Sequence, residues 1–164
     1  MIKIVSILCF ILYCKSLNES PSYRIWNEVK NSIANGEIIY DKNHFIFDEA
    51  NITGLDIHSQ KMQALFQKQK EIYDANDKFA NFIFIIQNID EQFYSLEQVA
   101  KELSKYLDQE CNKCMSNSIL ALLSMNTRAI WLKIGSMTES KIDDSELDSM
   151  IENLAENMKS LEYY

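Results

Sequence analysis

Two short, uninterrupted apolar runs constrain the fold of this chain more than any other feature. They are Phe82–Ile86 and Ile119–Leu123, and each is flanked by polar residues. Runs of this length suit strands better than helices. A strand with one wet face alternates between apolar and polar residues, whereas a strand covered on both faces is apolar throughout. We therefore expect two inner strands of a sheet that lies between two layers of helices.

Amphipathic helices are predicted around these strands. Pro21 suits the first turn of a helix that ends at Gly36. Thr53–Asp56 and Ser95–Gln98 resemble capping boxes, and each precedes apolar residues at helical spacing. Asp143–Glu146 is expected to cap a last helix. The apolar face of that last helix is Leu147, Met150, Ile151, Leu154 and Leu161.

Three further β-prone segments complete the predicted order. Ile38–Tyr40 and Phe45–Phe47 either form a small hairpin, or only the second joins the sheet. Ile130–Ile134 alternates in polarity, which indicates a strand antiparallel to its predecessor. Alternation of helices and strands favours right-handed crossovers. The expected fold is a three-layer α/β/α sandwich with a mixed, mostly parallel sheet of about four strands.

The first sixteen residues have the pattern of a secretory signal peptide. Lys3 precedes the apolar run Ile4–Cys14, and small residues near Ser16 suit a cleavage site. A membrane span needs about 20 apolar residues, so this run is too short for one. We expect a signal peptide over residues 1–16, a helical segment over 17–37 and an α/β domain over 38–164. The compartment is then the outside of the cell or an endomembrane lumen.

Charge narrows the classes of partner. Removal of Lys3 and Lys15 with the signal peptide leaves 14 basic against 24 acidic side chains, a net charge of about −10. Such a chain offers no basic surface for nucleic acid and is repelled by anionic membranes. No second apolar segment of spanning length follows. The mature chain is therefore expected to have no transmembrane segment and not to bind nucleic acid.

Two cysteines remain after removal of the signal peptide, Cys111 and Cys114. A lone C-x-x-C pair can be half of a zinc site, a redox dithiol or a small local disulfide. There is no second cysteine pair, and His44 and His58 lack metal-ligand spacing. The pair is predicted to follow a helix and precede a strand, the reverse of the thioredoxin arrangement. We favour a structural disulfide in an oxidising compartment.

One local pattern points to a ligand site. The predicted strand Phe45–Phe47 ends at Asp48 and Glu49, just before a helix. Ligands of open α/β sheets bind at the carboxyl ends of strands. Asn51 begins an N-x-T glycosylation sequon in the same stretch. A glycan on Asn51 would compete with an ion bound there.

Four segments together resemble the TPM domain family over about residues 38–161. They are FIFDEANI (45–52), LFQKQKEIY (65–73), NFIFII (81–86) and ILALLSMNTRAIWLKIG followed by KIDD (119–144). The family includes bacterial membrane-associated domains, a thylakoid-lumen protein described as an acid phosphatase, and an auxiliary subunit of nematode acetylcholine receptors. Members often carry a transmembrane helix after the domain, and we expect none in this protein.

The resemblance implies a pair of neighbouring acidic positions linked to calcium or phosphate chemistry. The matching residues are Asp48 and either Asp143 or Asp144. Calcium binds carboxylate and carbonyl oxygens of flexible loops, so Asp48, Asn51, Asp143 and Asp144 are the candidate metal ligands, with Ca²⁺ the candidate ion. The alternative is that Asp143 or Asp144 only caps a helix and that Asp48 lies in a solvated turn.

Two functions follow as hypotheses. The first is a secreted or lumenal interaction module, an accessory to a membrane receptor or complex, as one branch of the family implies. It agrees with the absence of catalytic triad, zinc-protease and phosphate-loop motifs. The second is a weak metal-assisted acid phosphatase that uses Asp48 with Asp143 or Asp144. A redox role for Cys111 and Cys114 ranks third.

Overall fold

The computed structural model describes residues 20–51, 54, 56, 58–75, 78–89, 94–143, 145, 148, 149 and 152. The predicted signal peptide and its cleavage site lie outside the described residues. So do Thr53, Asp144 and the apolar face predicted for the last helix. Of that last helix, residues 145, 148, 149 and 152 are described, and they are helical.

The elements alternate between helices and strands, as predicted. In chain order they are α1 (Pro21–Asn35), β1 (Tyr40–Asp41), β2 (His44–Asp48), a 3-10 turn (Glu49–Asn51), α2 (Gln60–Ala75), β3 (Ala80–Ile86), α3 (Leu96–Glu110), a second 3-10 turn (Cys114–Asn117), β4 (Ser118–Ser124), β5 (Ala129–Ile134) and α4 (Ser136–Glu139).

The five strands form one mixed sheet in the order β1-β2-β3-β4-β5. The pairs β2–β3 and β3–β4 are parallel, whereas β1–β2 and β4–β5 are antiparallel. The α/β fold class is therefore confirmed. The strand beyond the predicted four is β1, which has two residues and forms the small hairpin with β2.

One face of the sheet carries the hydrophobic core. The register places Phe45 beside Phe82 and Phe82 beside Leu120, so their side chains share a face. Helices α1 and α3 cover this face. The largest fully buried side chains of this core are Phe45, Phe82, Phe84, Ile86, Leu120 and Leu122 from the strands, and Ile25, Val29, Val99, Leu103 and Leu107 from the helices.

Helix α2 packs on the opposite face of the sheet, over β2. His44 points to this face because it precedes Phe45, and its ring contacts the rings of Phe66 and Tyr73. Further along the same face, Ile83 and Ile85 of β3 are only partly buried. The continuous apolar run of β3 therefore has one fully buried face and one partly exposed face.

Helix α2 begins at Gln60, several residues later than its predicted capping box at Thr53. Gly54 has a φ of 64° and Asp56 accepts a hydrogen bond from the His58 amide at 2.9 Å, so a turn occupies the predicted first helical turn. Ser59 caps the helix instead, because its hydroxyl accepts from the Met62 amide at 3.2 Å.

The apolar face of α2 is also less buried than its sequence indicates. Only Met62 and Gln69 are buried in this helix, and Leu65 is 47% exposed. In the described part of the chain, no helix is long and apolar enough to cross a membrane.

Candidate functional site

The cysteine pair lies in a tight loop between α3 and β4. Cys111 ends α3, and the structure joins it to Cys114 in a disulfide. The Cys114 amide donates to the Cys111 Sγ at 3.2 Å, and the Met115 amide donates to the Asp108 carboxylate at 3.1 Å. The predicted context, after a helix and before a strand, is confirmed. The disulfide therefore links the end of α3 to the 3-10 turn that precedes β4.

Glu49 holds the carboxyl end of β2 to its neighbours. One of its carboxylate oxygens bonds Arg24 of α1, and the other accepts from the Gln87 amide at 2.5 Å, just after β3. Its side chain is only 12% exposed. Arg24 also pairs with Glu28 at 2.8 Å. Burial lowers the pKa of Arg24, but the hydrogen bonds that Arg24 donates to Glu49 and Glu28, with the charges of these carboxylates, outweigh that effect and raise its pKa. The acidic turn seen in the sequence is therefore a structural clamp at Glu49.

A pocket of about 690 Å³ opens beside this clamp, and we call it the strand-end pocket. Its walls come from the second half of α1, the turn that follows it, the end of β2 and the start of α2. The lining residues are Glu28, Asn31, Ser32, Gly36, Glu37, Ile38, Ile39, Ile46, Phe47, Asp48, Asn51, Asp56, His58, Met62 and Phe66.

Gly36 allows the chain to form the pocket. It ends α1 in the left-handed region with a φ of 69°, and its amide donates to the carbonyl of Ile33. This C-cap turns the chain from α1 toward β1, so that Glu37 and Ile38 face the end of β2 across the pocket. Glycine adopts this conformation without the steric cost that a Cβ would impose.

The strand-end pocket combines negative charge with apolar surface. Four carboxylates line it, and no lysine or arginine does so among the described residues. The carboxylates of Glu37 and Asp56 belong to exposed residues, whereas Phe47 and Met62 are buried. Glu28 is partly neutralised by Arg24. The pocket thus suits a positively charged group carried on an apolar body.

Two of the four predicted metal ligands, Asp48 and Asn51, line the strand-end pocket. Asp143 follows β5 and α4, and β5 runs antiparallel to β4, so that Gly135 bonds Ser118 at the start of β4. Asp48 is level with Leu123 near the other end of that strand. Five residues of strand separate the two levels by about 16 Å.

Asp143 has a local structural role. Its carboxylate accepts a hydrogen bond from the Ser145 amide at 3.2 Å, as expected of a residue that caps the last helix. Asp144 lies outside the described residues. The pairing of Asp48 with Asp143 or Asp144 stays a prediction.

The calcium site stays a prediction, because Asp144 is not among the described residues. The residues that the structure describes contain no group of three histidine, cysteine, aspartate or glutamate side chains that could hold a metal ion. Calcium takes about six to eight oxygen ligands, so a site at Asp48 and Asn51 would need further ligands.

Asn51 is exposed, as a glycosylated residue must be. It ends the 3-10 turn after β2 with a φ of 54°, and its carbonyl accepts from the Gly54 amide at 3.0 Å. Thr53 of the sequon lies outside the described residues. A glycan on Asn51 would stand at the strand-end pocket, which Asn51 lines. Glycosylation stays a prediction.

Comparison with known proteins identifies the family. No curated protein matches the chain. The family model of the TPM domain matches residues 55–164, about two thirds of the sequence. The match includes α2 to α4, whereas α1, β1, β2 and most of the residues that line the strand-end pocket precede it. On this match, the chain belongs to the TPM domain family.

Proposed function

We propose that this protein is a secreted or lumenal interaction module, an accessory to a membrane receptor or complex. The strand-end pocket binds a basic side chain that projects from an apolar segment of the partner protein. The observation that carries the proposal is the lining of the pocket, with four carboxylates beside apolar side chains and no lysine or arginine among the described residues.

The chemistry of a basic side chain matches both halves of this lining. Lysine and arginine have long apolar stems that pack against hydrophobic surface while the charged end stays near polar groups. Phe47 and Met62 offer the apolar surface, and Glu37 and Asp56 offer the carboxylates near solvent. A pocket of about 690 Å³ has room for more than one side chain.

The net charge of the whole chain also favours a positively charged partner. Its formal net charge is −8, so a cationic partner is attracted over a longer range than the pocket itself. This attraction weakens as salt is added, because the Debye length falls to about 8 Å at physiological ionic strength. Binding should therefore be tighter at low salt.

The test uses a labelled peptide in which arginine alternates with leucine, and fluorescence anisotropy with the purified protein. Double substitution of Glu37→Gln and Asp56→Asn removes two carboxylates that line the pocket and keeps the side-chain shape. Partly exposed ion pairs contribute about 0.5 to 1 kcal/mol each, so the Kd should rise roughly five- to thirtyfold.

The matched control removes the same number of charges elsewhere. Glu139→Gln with Asp148→Asn changes two exposed residues that do not line the pocket. This control should change the Kd by less than about twofold, since distant exposed charges are screened. Equal weakening in the two double variants would show that net charge alone attracts the peptide, and would refute the pocket as its site.

The alternative function, a metal-assisted acid phosphatase, has less support. A phosphate group needs cationic groups or an ion to balance its charge. The strand-end pocket presents carboxylates instead. A calorimetric calcium titration of the protein and of Asp48→Ala tests the ion directly. Saturable heat that is lost in Asp48→Ala would favour this alternative.

A further inference from the structure

The interface between α2 and β2 contains buried polar atoms that have no partner. They are Nδ1 and Nε2 of His44 and Oε1 of Gln69, and no other buried side-chain nitrogen or oxygen in the described residues lacks a hydrogen bond. His44 is 2% exposed and Gln69 is 6% exposed. Unpaired polar atoms in a buried site oppose burial. Among the described residues, the buried polar atoms that lack a hydrogen bond are therefore all at the interface between α2 and β2.

The geometry places His44 directly under α2. Its ring centroid is 5.0 Å from that of Phe66 and 5.7 Å from that of Tyr73. Phe66 and Tyr73 are two helical turns apart, and Gln69 lies between them on the same face. A second proton on the His44 ring would thus place a charge against the packed side of the helix.

Nearby carboxylates are poorly placed to balance that charge. Asp41 of β1 is 3.6 Å from His44 Nδ1, beyond hydrogen-bond distance, and it already accepts from the amide of Asn43 at 2.8 Å. Asp74 of α2 is bonded to Lys78 at 2.9 Å. The carboxylates of both aspartates are about half exposed, so water screens them.

The remaining neighbours are neutral or positive. Lys70 of α2 is close enough to lower the pKa of His44, and the residue paired with His44 on β3 is the neutral Asn81. Tyr73 has a neutral ring, over which Lys78 lies at 5.0 Å. Burial is the largest cause acting on His44 and lowers its pKa, and Asp41 opposes the shift only in part.

We propose that protonation of His44 releases α2 from the sheet and thereby opens the strand-end pocket. The link is direct, since α2 supplies Met62 and Phe66 to the pocket wall and Phe66 also contacts His44. The released helix leaves His44 in water, where it accepts a proton at its ordinary pKa of about 6.5. Packing of α2 against the sheet is thus favoured above about pH 6.5 and weakens as pH falls below it.

A consequence for ligands rests on the proposed function. A partner that binds the intact pocket is released when the wall supplied by α2 is lost. Binding in a neutral compartment and release in an acidic one would follow. The release of α2 itself needs no ligand, so the two proposals can fail separately.

Amide hydrogen exchange of the whole protein, read by mass spectrometry, tests the release. Protection factors of α2 amides, corrected for the intrinsic pH dependence of exchange, should be at least about threefold lower at pH 5.5 than at pH 7.5. Amides of β3 and β4 should not change. Equal protection of α2 at the two values of pH would overturn the proposal.

Three variants assign the effect to His44. His44→Phe keeps an aromatic ring against Phe66 and Tyr73 and should make protection of α2 independent of pH. His58→Asn changes the only other histidine of the chain and should keep the transition. Asp41→Asn removes the carboxylate that favours the charged ring under α2, so the loss of α2 protection at pH 5.5 should be at least as large as in the unsubstituted protein.

The Asp41→Asn result also separates titration from packing. A smaller loss of α2 protection at pH 5.5 in Asp41→Asn, or a transition that persists in His44→Phe, would refute the assignment even if one variant is less stable. The labelled peptide is then measured at both values of pH. Loss of α2 protection with unchanged peptide affinity would refute the pocket as the binding site, while the release of α2 would stand.

Discussion

Removal of the Glu49 carboxylate should destabilise the protein more than removal of any exposed acid. Glu49→Ala breaks two contacts at once, one to Arg24 of α1 and one to the Gln87 amide after β3. Hydrogen bonds to charged groups contribute about 1.5 to 3 kcal/mol each. Arg24 is 38% exposed and can regain water, so we expect a total loss of about 2 to 3 kcal/mol.

Two further variants divide this loss into parts. Glu49→Gln keeps an oxygen that can accept from the Gln87 amide but loses the charge that pairs with Arg24, and should cost about 1 kcal/mol. Glu28→Gln removes the other partner of Arg24. In the Arg24–Glu28 pair, both side chains are 38% exposed. That pair joins residues one helical turn apart, and its loss should cost about 0.5 kcal/mol or less.

Urea unfolding followed by circular dichroism measures all three variants. The midpoint should shift while the m-value stays constant, since the clamp does not change the surface exposed on unfolding. A loss below about 0.5 kcal/mol for Glu49→Ala, or a loss equal to that of Glu28→Gln, would refute the role of Glu49 as the clamp between α1, β2 and β3.

Three other predictions concern the scaffold. Gly135→Ala should lower the free energy of unfolding in urea by about 3 kcal/mol, because a Cβ there would overlap the backbone of Met115 and Ser116. Gly36→Ala meets no atom and should lower it by about 1 kcal/mol, because of the left-handed φ at this position. Equal losses in the two variants would contradict this. His44→Phe should stabilise the protein more at pH 5.5 than at pH 7.5. Burial lowers the pKa of His44, so the stability that depends on its neutral form is lost as pH falls below about 6.5. A difference in unfolding free energy between variant and parent that does not change with pH would contradict this. Reduction of the Cys111–Cys114 disulfide should lower the free energy of unfolding by about 2 kcal/mol or less, because it closes a very short loop; a larger loss would show that the disulfide also holds α3 against β4.

The central strands could be predicted from sequence because a few consecutive apolar residues are enough to indicate a buried strand. The apolar runs of β3 and β4 are continuous, and neither needs knowledge of distant residues to be recognised. The start of α2 could not be placed so well. Thr53 and Asp56 have the spacing of a capping box, but Gly54 and Asp56 form a turn instead. Similar residue types serve both structures.

The strand-end pocket is only partly visible in the sequence. The family resemblance and the place of Asp48 after a strand predict Asp48 and Asn51 as site residues, and both line the pocket. Glu28, Glu37 and Asp56 are not predicted as site residues. Glu28 and Glu37 reach the pocket from α1 and the following turn, and Asp56 reaches it from just before α2. Such long-range packing leaves no short motif. Glu49 was seen as an acidic turn, but its partner Arg24 is distant in sequence.

The pairing of Asp48 with Asp143 came from the family resemblance and depends on topology. β5 runs back along β4 and ends beside the amino end of β4. Asp48 lies near the carboxyl ends of β3 and β4. The direction of β5 relative to β2 cannot be read from spacing along the chain.

The central claim is that the strand-end pocket binds a basic segment. A nuclear magnetic resonance titration of the protein with the arginine–leucine peptide tests it most directly. We expect amide signals of residues 31–39, 48, 51, 56 and 58–66 to shift along saturating curves, and Glu37→Gln with Asp56→Asn to weaken these shifts. Shifts confined to other surfaces, or saturation unaffected by the double substitution, would contradict it.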